Sequence, residues 1–334
     1  MPRSIAAKLG GQSRYEIYSY EAMPRLRRMQ SAHMWTFISA ARPRQRFNRF
    51  NPLALTAVAG VLLLGGCAHQ SAQLTPDTEW QQTLRQWAGT PLILLGEQHD
   101  QIAHHQWEAA TVRHLAAQGR LAALVVEMAP AGGSTRSLPA SANDEEVKTA
   151  LQWAQGGGPG GWPWQDYGPV VMAAVKAGVP VLGGNLPRIQ MKQAMGESRY
   201  DTHLPAAGWQ LQLDAIKDGH CGLLPESQFA PMARIQLARD ESMARVSETA
   251  LRELGQPGKS VLLVAGRGHV RSDIGVPTWL PAEFKPKVAI AQSDKAQTAI
   301  TMKADKQLTL EGNASEDTCQ QLREQWKNKP APKP

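Results

Sequence analysis

The sequence predicts an α/β fold: a mostly parallel sheet flanked by helices, with a helical insert or small helical subdomain. Three observations lead there. Four apolar runs, PLILL (91–95), LAALVV (121–126), VPVLG (179–183) and SVLLVAG (260–266), are short and continuous, the pattern of strands buried on both faces. Stretches with helical spacing separate them, and this alternation marks a parallel sheet. Glycine or polar residues come directly after each run, as at the carboxyl edge of an open sheet.

Each element has its own signal. Residues 99–118 carry Trp107, Ala110, His114 and Leu115 at helical spacing and stop at Gly119, a natural C-cap. NDEEVKTALQWAQ (143–155) opens with Asn143 and acids that suit a helix N-terminus. DYGPVVMAAVKA (166–177) ends at Gly178, and 231–254 is the longest helix, with Pro231 at its start. Between the third and fourth runs about 75 residues read as helical. One crossover needs fewer, so an insert is expected at about 186–258. GGGPGGWPW (156–164) reads as a flexible loop ending in Trp162 and Trp164. KVAIAQS (287–293) and QTAITMKA (297–304) add two strands, the domain spans 79–320, and 321–334 is a frayed tail.

The formal net charge is +7, from 36 Lys+Arg and 29 Asp+Glu, which taken whole suggests a polyanion or a membrane surface as partner. Its distribution removes that inference. Residues 1–66 hold ten basic and two acidic residues, a net of +8, which leaves −1 for 67–334. Arg42, Arg44, Arg46 and Arg49 precede LALTAVAGVLLL (53–64) and then Gly65-Gly66-Cys67, the basic, apolar, small order of a secretion signal. About 12 apolar residues are too few for a bilayer span, which needs ~20. The Leu64 to Cys67 ending resembles a bacterial lipobox, which implies a diacylglycerol on Cys67 and stable anchoring by several acyl chains. Residues 1–66 are then a signal peptide, with the start at Met23 or Met34, and 67–78 a lipidated tether. Ala68, where inner-membrane lipoproteins often carry Asp, points by that resemblance to the outer membrane. Two cysteines remain, Cys221 and Cys319, in a compartment where disulfides persist, so a bridge between them is expected.

Four strand ends carry the chemistry. They are Gly96-Glu97-Gln98-His99-Asp100, Glu127-Met128, Gly184-Asn185-Leu186-Pro187-Arg188 and Gly266-Arg267-Gly268-His269. Carboxyl ends of parallel strands share one edge, so Glu97, His99, Glu127, Asn185, Arg188 and His269 are expected to converge. Singly, each has a structural use, Glu97 as a helix cap and Asn185 as a turn residue; together they read as a pocket. Asp100 with His104, and His104 with Glu108, stand at i, i+4, a spacing that can serve a metal. Without a His-Glu-x-x-His or a cysteine cluster, His104 and His105 read as a solvated helix face. There is no G-x-S-x-G elbow and no phosphate loop, and the basic residues after position 66 are dispersed, so no nucleic-acid partner is expected.

At LLGEQHD, LVVEMAP, WPWQDYGPVV, GGNLPR, HCGLLP, QLARDESMA and VAGRGHVRSDIGVPTWL the chain resembles the ChaN family of haem-binding lipoproteins, over about 90–319. The wider superfamily includes erythromycin esterases and Tiki-type metal-dependent proteases. The resemblance implies an outer-membrane-anchored protein of haem or iron uptake or storage that binds haem through a tyrosinate. It also implies a homodimer holding two haems face to face, propionates met by basic side chains, and an outer-membrane haem receptor as partner. A phenolate is a hard ligand that suits ferric iron. Tyr15, Tyr18 and Tyr20 precede the cleavage site, leaving Tyr167 and Tyr200; Tyr167 follows Trp162 and Trp164, whose indoles could cover a porphyrin, and is the expected axial ligand. Arg188, Arg267 and His269 are expected to meet propionates or orient the haem, with His99 beside them; Glu97, Glu127, Asn185 and Asp240 line the pocket. The alternative is an envelope hydrolase, metal-dependent or not, using Glu97, His99, Glu127 and His269.

Overall fold

A computed structural model of the protein describes residues 77–156, 162–296 and 301–313, with 319, 320, 323 and 324. The signal peptide, Cys67, the tether up to 76 and most of the expected tail lie outside the described residues. The described residues belong to one of the chain's two compact units; the other, Pro24–Gln73, lies outside them. Among the described residues no helix is long and apolar enough to cross a membrane.

Six strands, β1 (Leu92–Glu97), β2 (Leu121–Pro130), β3 (Val181–Asn185), β4 (Ser260–Gly266), β5 (Lys287–Ser293) and β6 (Lys306–Leu310), form one sheet. Its order is β3-β2-β4-β1-β5-β6, and every neighbouring pair is parallel. The α/β expectation holds. The sixth strand is displaced from the expected 297–304: residues 301–304 are not strand, and 297–300 lie outside the described residues. β6 is an edge strand with alternating partial burial, so its sequence lacks the continuous apolar run that betrays the inner strands.

Among the described residues the sheet is accompanied by α1 (Thr78–Gln86), α2 (Ile102–Ala117), α3 (Asp144–Ala150), α4 (Trp164–Lys176), α5 (Arg188–Ala194), α6 (Ala206–Gly219), α7 (Phe229–Leu254) and the short α8 (Arg267–Val270). Asn143 caps α3 in a full capping box with Glu146, and Gly119 and Gly178 take the left-handed conformation that stops α2 and α4. Helix α1 adds to the expected elements; Asp77 caps it, and its buried Trp80 donates to Thr111 Oγ1 at 2.8 Å.

Strand alternation divides the core. Ile93 and Leu95 of β1 face α1, α2, α3 and α4, whereas Leu92 and Leu94 face α7 and α8. The chain leaving β1 thus passes over one face, through α2, and the chain leaving β4 passes over the other, through α8. Because β1 and β4 are adjacent, their carboxyl ends form the switch point at which open α/β sheets bind ligands. Residues 186–258 supply α5, α6 and α7, and α7 also serves as the crossover helix into β4.

Cys221 and Cys319 form a disulfide that closes a loop of 98 residues. In the chain-entropy model such a loop is worth about 4–5 kcal/mol. The Cys221→Ser/Cys319→Ser double variant is expected to lose roughly that much unfolding free energy in urea, with an m-value that rises as the unfolded state expands.

Candidate functional site

The ladder runs further than the apolar runs suggested. Glu97 pairs in register with Gly266, so it closes β1 instead of lying beyond it, and β2 continues through Glu127 to Pro130. The register of β2 shifts between Val126 and Pro130, an irregularity beside Glu127 of the kind that re-aims side chains near functional sites.

Two buried carboxylates, Glu97 and Glu127, organise the cluster. Glu97 Oε1 accepts from Tyr167 OH at 2.9 Å and lies 2.7 Å from His99 Nδ1. Its Oε2 lies 2.8 Å from His105 Nε2, though not in line for a hydrogen bond. Burial raises the Glu97 carboxyl, but the imidazoles of His105 and His99 outweigh it and hold it below the usual range. Glu127 Oε2 accepts the Gly266 N–H at 2.6 Å, and its Oε1 meets the Arg239 guanidinium. Burial again opposes ionisation, yet His269, Arg239 and His99 bring Glu127 down to about 2.

The imidazoles complete the arrangement. His269 Nδ1 is 2.6 Å from Asp240 Oδ1 and its Nε2 is 3.7 Å from Glu127 Oε1. Burial pushes Asp240 up to about 6 against the pull of His269. His99 Nε2 stands 4.0 Å from Glu127 Oε1; burial lowers its pKa, but Glu127 and Glu97 prevail and raise it. Gly266 leaves room for this ring, since a Cβ there would fall 2.7 Å from His99 Nε2. Asn185 Nδ2 donates to the Glu127 carbonyl at 2.9 Å, and its Oδ1 accepts from Arg239 Nε at 2.9 Å.

Of the six strand-end residues, Glu97, His99, Glu127, Asn185 and His269 come together, joined by Tyr167 from α4 and Asp240 from α7. Arg267, directly after Gly266, is partly buried and carries no hydrogen bond or ion pair among the described residues. Arg188 is exposed at the start of α5, outside the buried cluster. Trp162 lies over His99, ring centroids 4.6 Å apart, and meets Tyr167 edge-on at 5.5 Å. Trp164 does not join it: its indole N–H donates to Asp144 Oδ2 at 2.7 Å and its ring packs on Trp153. Tyr167 is a buried phenol, pushed above its ordinary range first by burial, then by the charges of Glu97 and Glu108.

The solvated-face reading of α2 is overturned. His104, His105 and Glu108 are all buried, because α2 is covered by β1 on one side and α4 on the other. His104 Nδ1 accepts the Gln98 N–H, and burial takes its pKa down to about 4. Glu108 has no partner for either oxygen; burial, then the charges of Glu97 and Glu127, raise its carboxyl well above the usual carboxylate range. Among the described residues no group of three His, Cys, Asp or Glu is placed to hold a metal ion. Sequence reasoning passed over Arg239, weighed Glu108 only as a metal spacing with His104, and read His105 as solvated. The signals were there: Asp240 interrupts the stripe Leu237, Asp240, Ala244, and Glu108 shares a stripe with Trp107, Thr111 and Leu115.

Residues 83–280, which hold every residue of this site, match the family of haem-binding uptake proteins, Tiki superfamily, ChaN. The chain belongs to this family. Among solved structures it resembles that of cofacial haem binding to ChaN of Campylobacter jejuni, at 21% identity and a TM-score of 0.53, covering 70% of this chain and 92% of that one. At that identity the likeness shows the shared fold. An erythromycin esterase mutant in its open conformation (13% identity, 65% and 74% coverage, TM-score 0.37) and the type III effector HopBA1 (13%, 66% and 88%, 0.36) are too distant in fold to inform the site. No curated protein matches the sequence.

Removing one partner of a buried pair leaves an uncompensated charge, which costs about 3–5 kcal/mol. Arg239→Ala is expected to destabilise by that order in urea at pH 7. Glu127 is held near 2 against the usual 4.5, so its contribution is full above 4.5 and fades as pH falls through about 2. The gap between wild type and variant should therefore narrow over that window.

Proposed function

We propose that the chain binds haem as cargo at the carboxyl edge of its sheet. The observation that carries the reading is membership of the haem-binding family over a span that includes the whole site. The local chemistry suits an amphipathic anionic ligand: a partly exposed His99 under Trp162, and an unpaired Arg267 for a propionate.

Tyr167 is the proposed axial ligand. Tyr167 is buried and faces Glu97, so ligation requires its surroundings to open and the phenolic proton to pass to Glu97 Oε1, 2.9 Å away. Purified protein lacking its signal should bind hemin saturably with a tyrosinate-to-iron absorption that disappears in Tyr167→Phe. Saturable binding with an unchanged spectrum in that variant would assign the iron to another residue.

In this reading Cys67 is acylated, the protein is tethered at the outer membrane, and a homodimer forms around haem that is exchanged with an outer-membrane receptor. Labelled palmitate should enter the wild-type protein and not Cys67→Ala.

A second reading is favoured by one observation: Asp240 holds His269 by Nδ1 with Nε2 turned toward Glu127, the posture of a general base. An envelope hydrolase would use that imidazole with Glu97, His99 and Glu127, by acid and base or around a metal. Ester turnover lost in His269→Ala, or stoichiometric zinc or manganese lost in His99→Ala, would establish it.

A further inference from the structure

The amino edge of the sheet, opposite the site, gathers basic residues that lie far apart in the sequence. Arg85 belongs to the last turn of α1, Arg120 precedes β2, Lys176 ends α4 ahead of β3, and Lys259 precedes β4. Because β2 pairs in parallel with both β3 and β4, the starting ends of the three strands share that edge. Hydrogen bonds tie the patch together around Arg120. Its guanidinium donates to the Leu84 carbonyl at 3.0 Å, next to Arg85, and to Gln118 Oε1 at 3.2 Å. Its own carbonyl accepts the Ser260 N–H at 2.8 Å, next to Lys259. His114 joins through Gln118, whose Nε2 is 3.1 Å from the imidazole.

The acids at this edge are already answered: Glu79 by Lys306, Asp305 by Lys287 and Glu253 by Arg136. Glu283 and Lys285, on the turn into β5, cancel. Among the described residues no carboxylate is paired with Arg85, Arg120, Lys176 or Lys259. His114 feels only cations: burial first, then Arg120 and Arg85, lower its pKa. Taken singly, Arg85 and Lys176 suit helix C-termini, and Arg120 serves a free helix carbonyl. Together they are four like charges on one edge, which an anionic surface would relieve.

The chain also enters the fold there. Helix α1 lies along the amino edge, from Glu79 at Lys306, the first residue of β6, to Leu84 at Arg120, the residue before β2. Residues 67–76 reach at most about 35 Å when extended, so a lipid on Cys67 would keep this edge close to the bilayer.

We propose that Arg85, Arg120, Lys176 and Lys259 form a docking surface for anionic lipid headgroups, which turns the carboxyl-edge site away from the membrane. Docking of the tethered protein rests on the acylation proposed above; the patch itself does not. The six residues of β1 set the site about 20 Å from that surface, so its ligand enters from the aqueous side. With a net charge of −1 over 67–334, the attraction is local and screened by salt.

The test uses residues 67–334 with Cys67→Ala, which cannot be acylated there, and vesicles of phosphatidylcholine with and without phosphatidylglycerol. Flotation at low salt is expected to recover the chain with the anionic vesicles alone, and high salt to release it. Near a charged surface each basic residue is worth about fivefold, so Arg85→Gln/Lys176→Gln/Lys259→Gln should weaken partitioning by about a hundredfold. None of those three side chains is paired, so the melting temperature should stay near the wild-type value. Lys192→Gln/Lys217→Gln/Lys295→Gln removes the same charge away from the patch and should partition as wild type does. Unchanged partitioning in the patch variant, or an equal loss in this control, overturns the docking surface. A wild-type chain that ignores anionic vesicles at low salt overturns it too. Absence of palmitate on Cys67 would remove the tether and leave the vesicle result standing, so the two failures are distinct.

Discussion

The buried Glu127 carboxylate is the constraint on which the rest of the site depends. It sits on β2, takes the backbone N–H of Gly266 at the end of β4, meets Arg239 from α7, and lies within 4.0 Å of imidazoles from both other approaches. A carboxylate without water must be answered by charge and hydrogen bonds from several sides. That requirement joins elements far apart in sequence. Gly266 has to be bare so that His99 and Glu127 can both approach it. Asn185 has to reach across from β3, because its amide joins the Glu127 carbonyl to Arg239 and so fixes the guanidinium as well as the strand end.

The same constraint explains how much of the molecule was legible. Strands buried on both faces must be apolar throughout, so β1, β2, β3 and β4 announce themselves, and a polar residue ending such a run is conspicuous. Glu97, Glu127, Asn185 and His269 stand out that way. Helices carry a weaker signal because a polar residue on one is usually solvated. Arg239 was missed for that reason, and Glu108 was weighed only with His104 as a metal spacing, although each lies beside or on a stripe of core residues. His104 and His105 were misjudged because α2 is covered by both β1 and α4, a second layer that periodicity in one segment does not reveal. The alternating β6 gave no apolar run, and the position of Trp164 depends on a partner, Asp144, that belongs to a different helix.

Charge is nearly balanced inside this edge. Glu97 and Glu127 are held below the usual carboxylate range by the imidazoles and Arg239, Asp240 faces His269, and burial first, then the charges of Glu97 and Glu127, raises Glu108. Arg267, directly after Gly266, is partly buried, and the charge of Asp100 acts on it against that burial.

That balance bears on the hardest point for a tyrosinate ligand. Taken alone, the surroundings of Tyr167 oppose ionisation: burial first, then the negative charge of Glu97 beside the hydroxyl. Yet the second of these is not fixed. If the phenolic proton crosses the 2.9 Å bond to Glu97 Oε1, the pocket holds one carboxylic acid and one phenolate in place of one carboxylate and one phenol. The number of buried negative charges is unchanged; only their position moves, toward the oxygen that iron would take. The repulsion from Glu97 falls away in the same step, because its source has been neutralised, while that from Glu127 stays. What remains is the intrinsic difference between a phenol and a carboxylic acid, and a ferric centre bonded to the phenolate oxygen is the kind of charge that can offset it. In the proposed reading Glu97 would take the proton of Tyr167, and the imidazoles of His105 and His99 hold it ionised for that role.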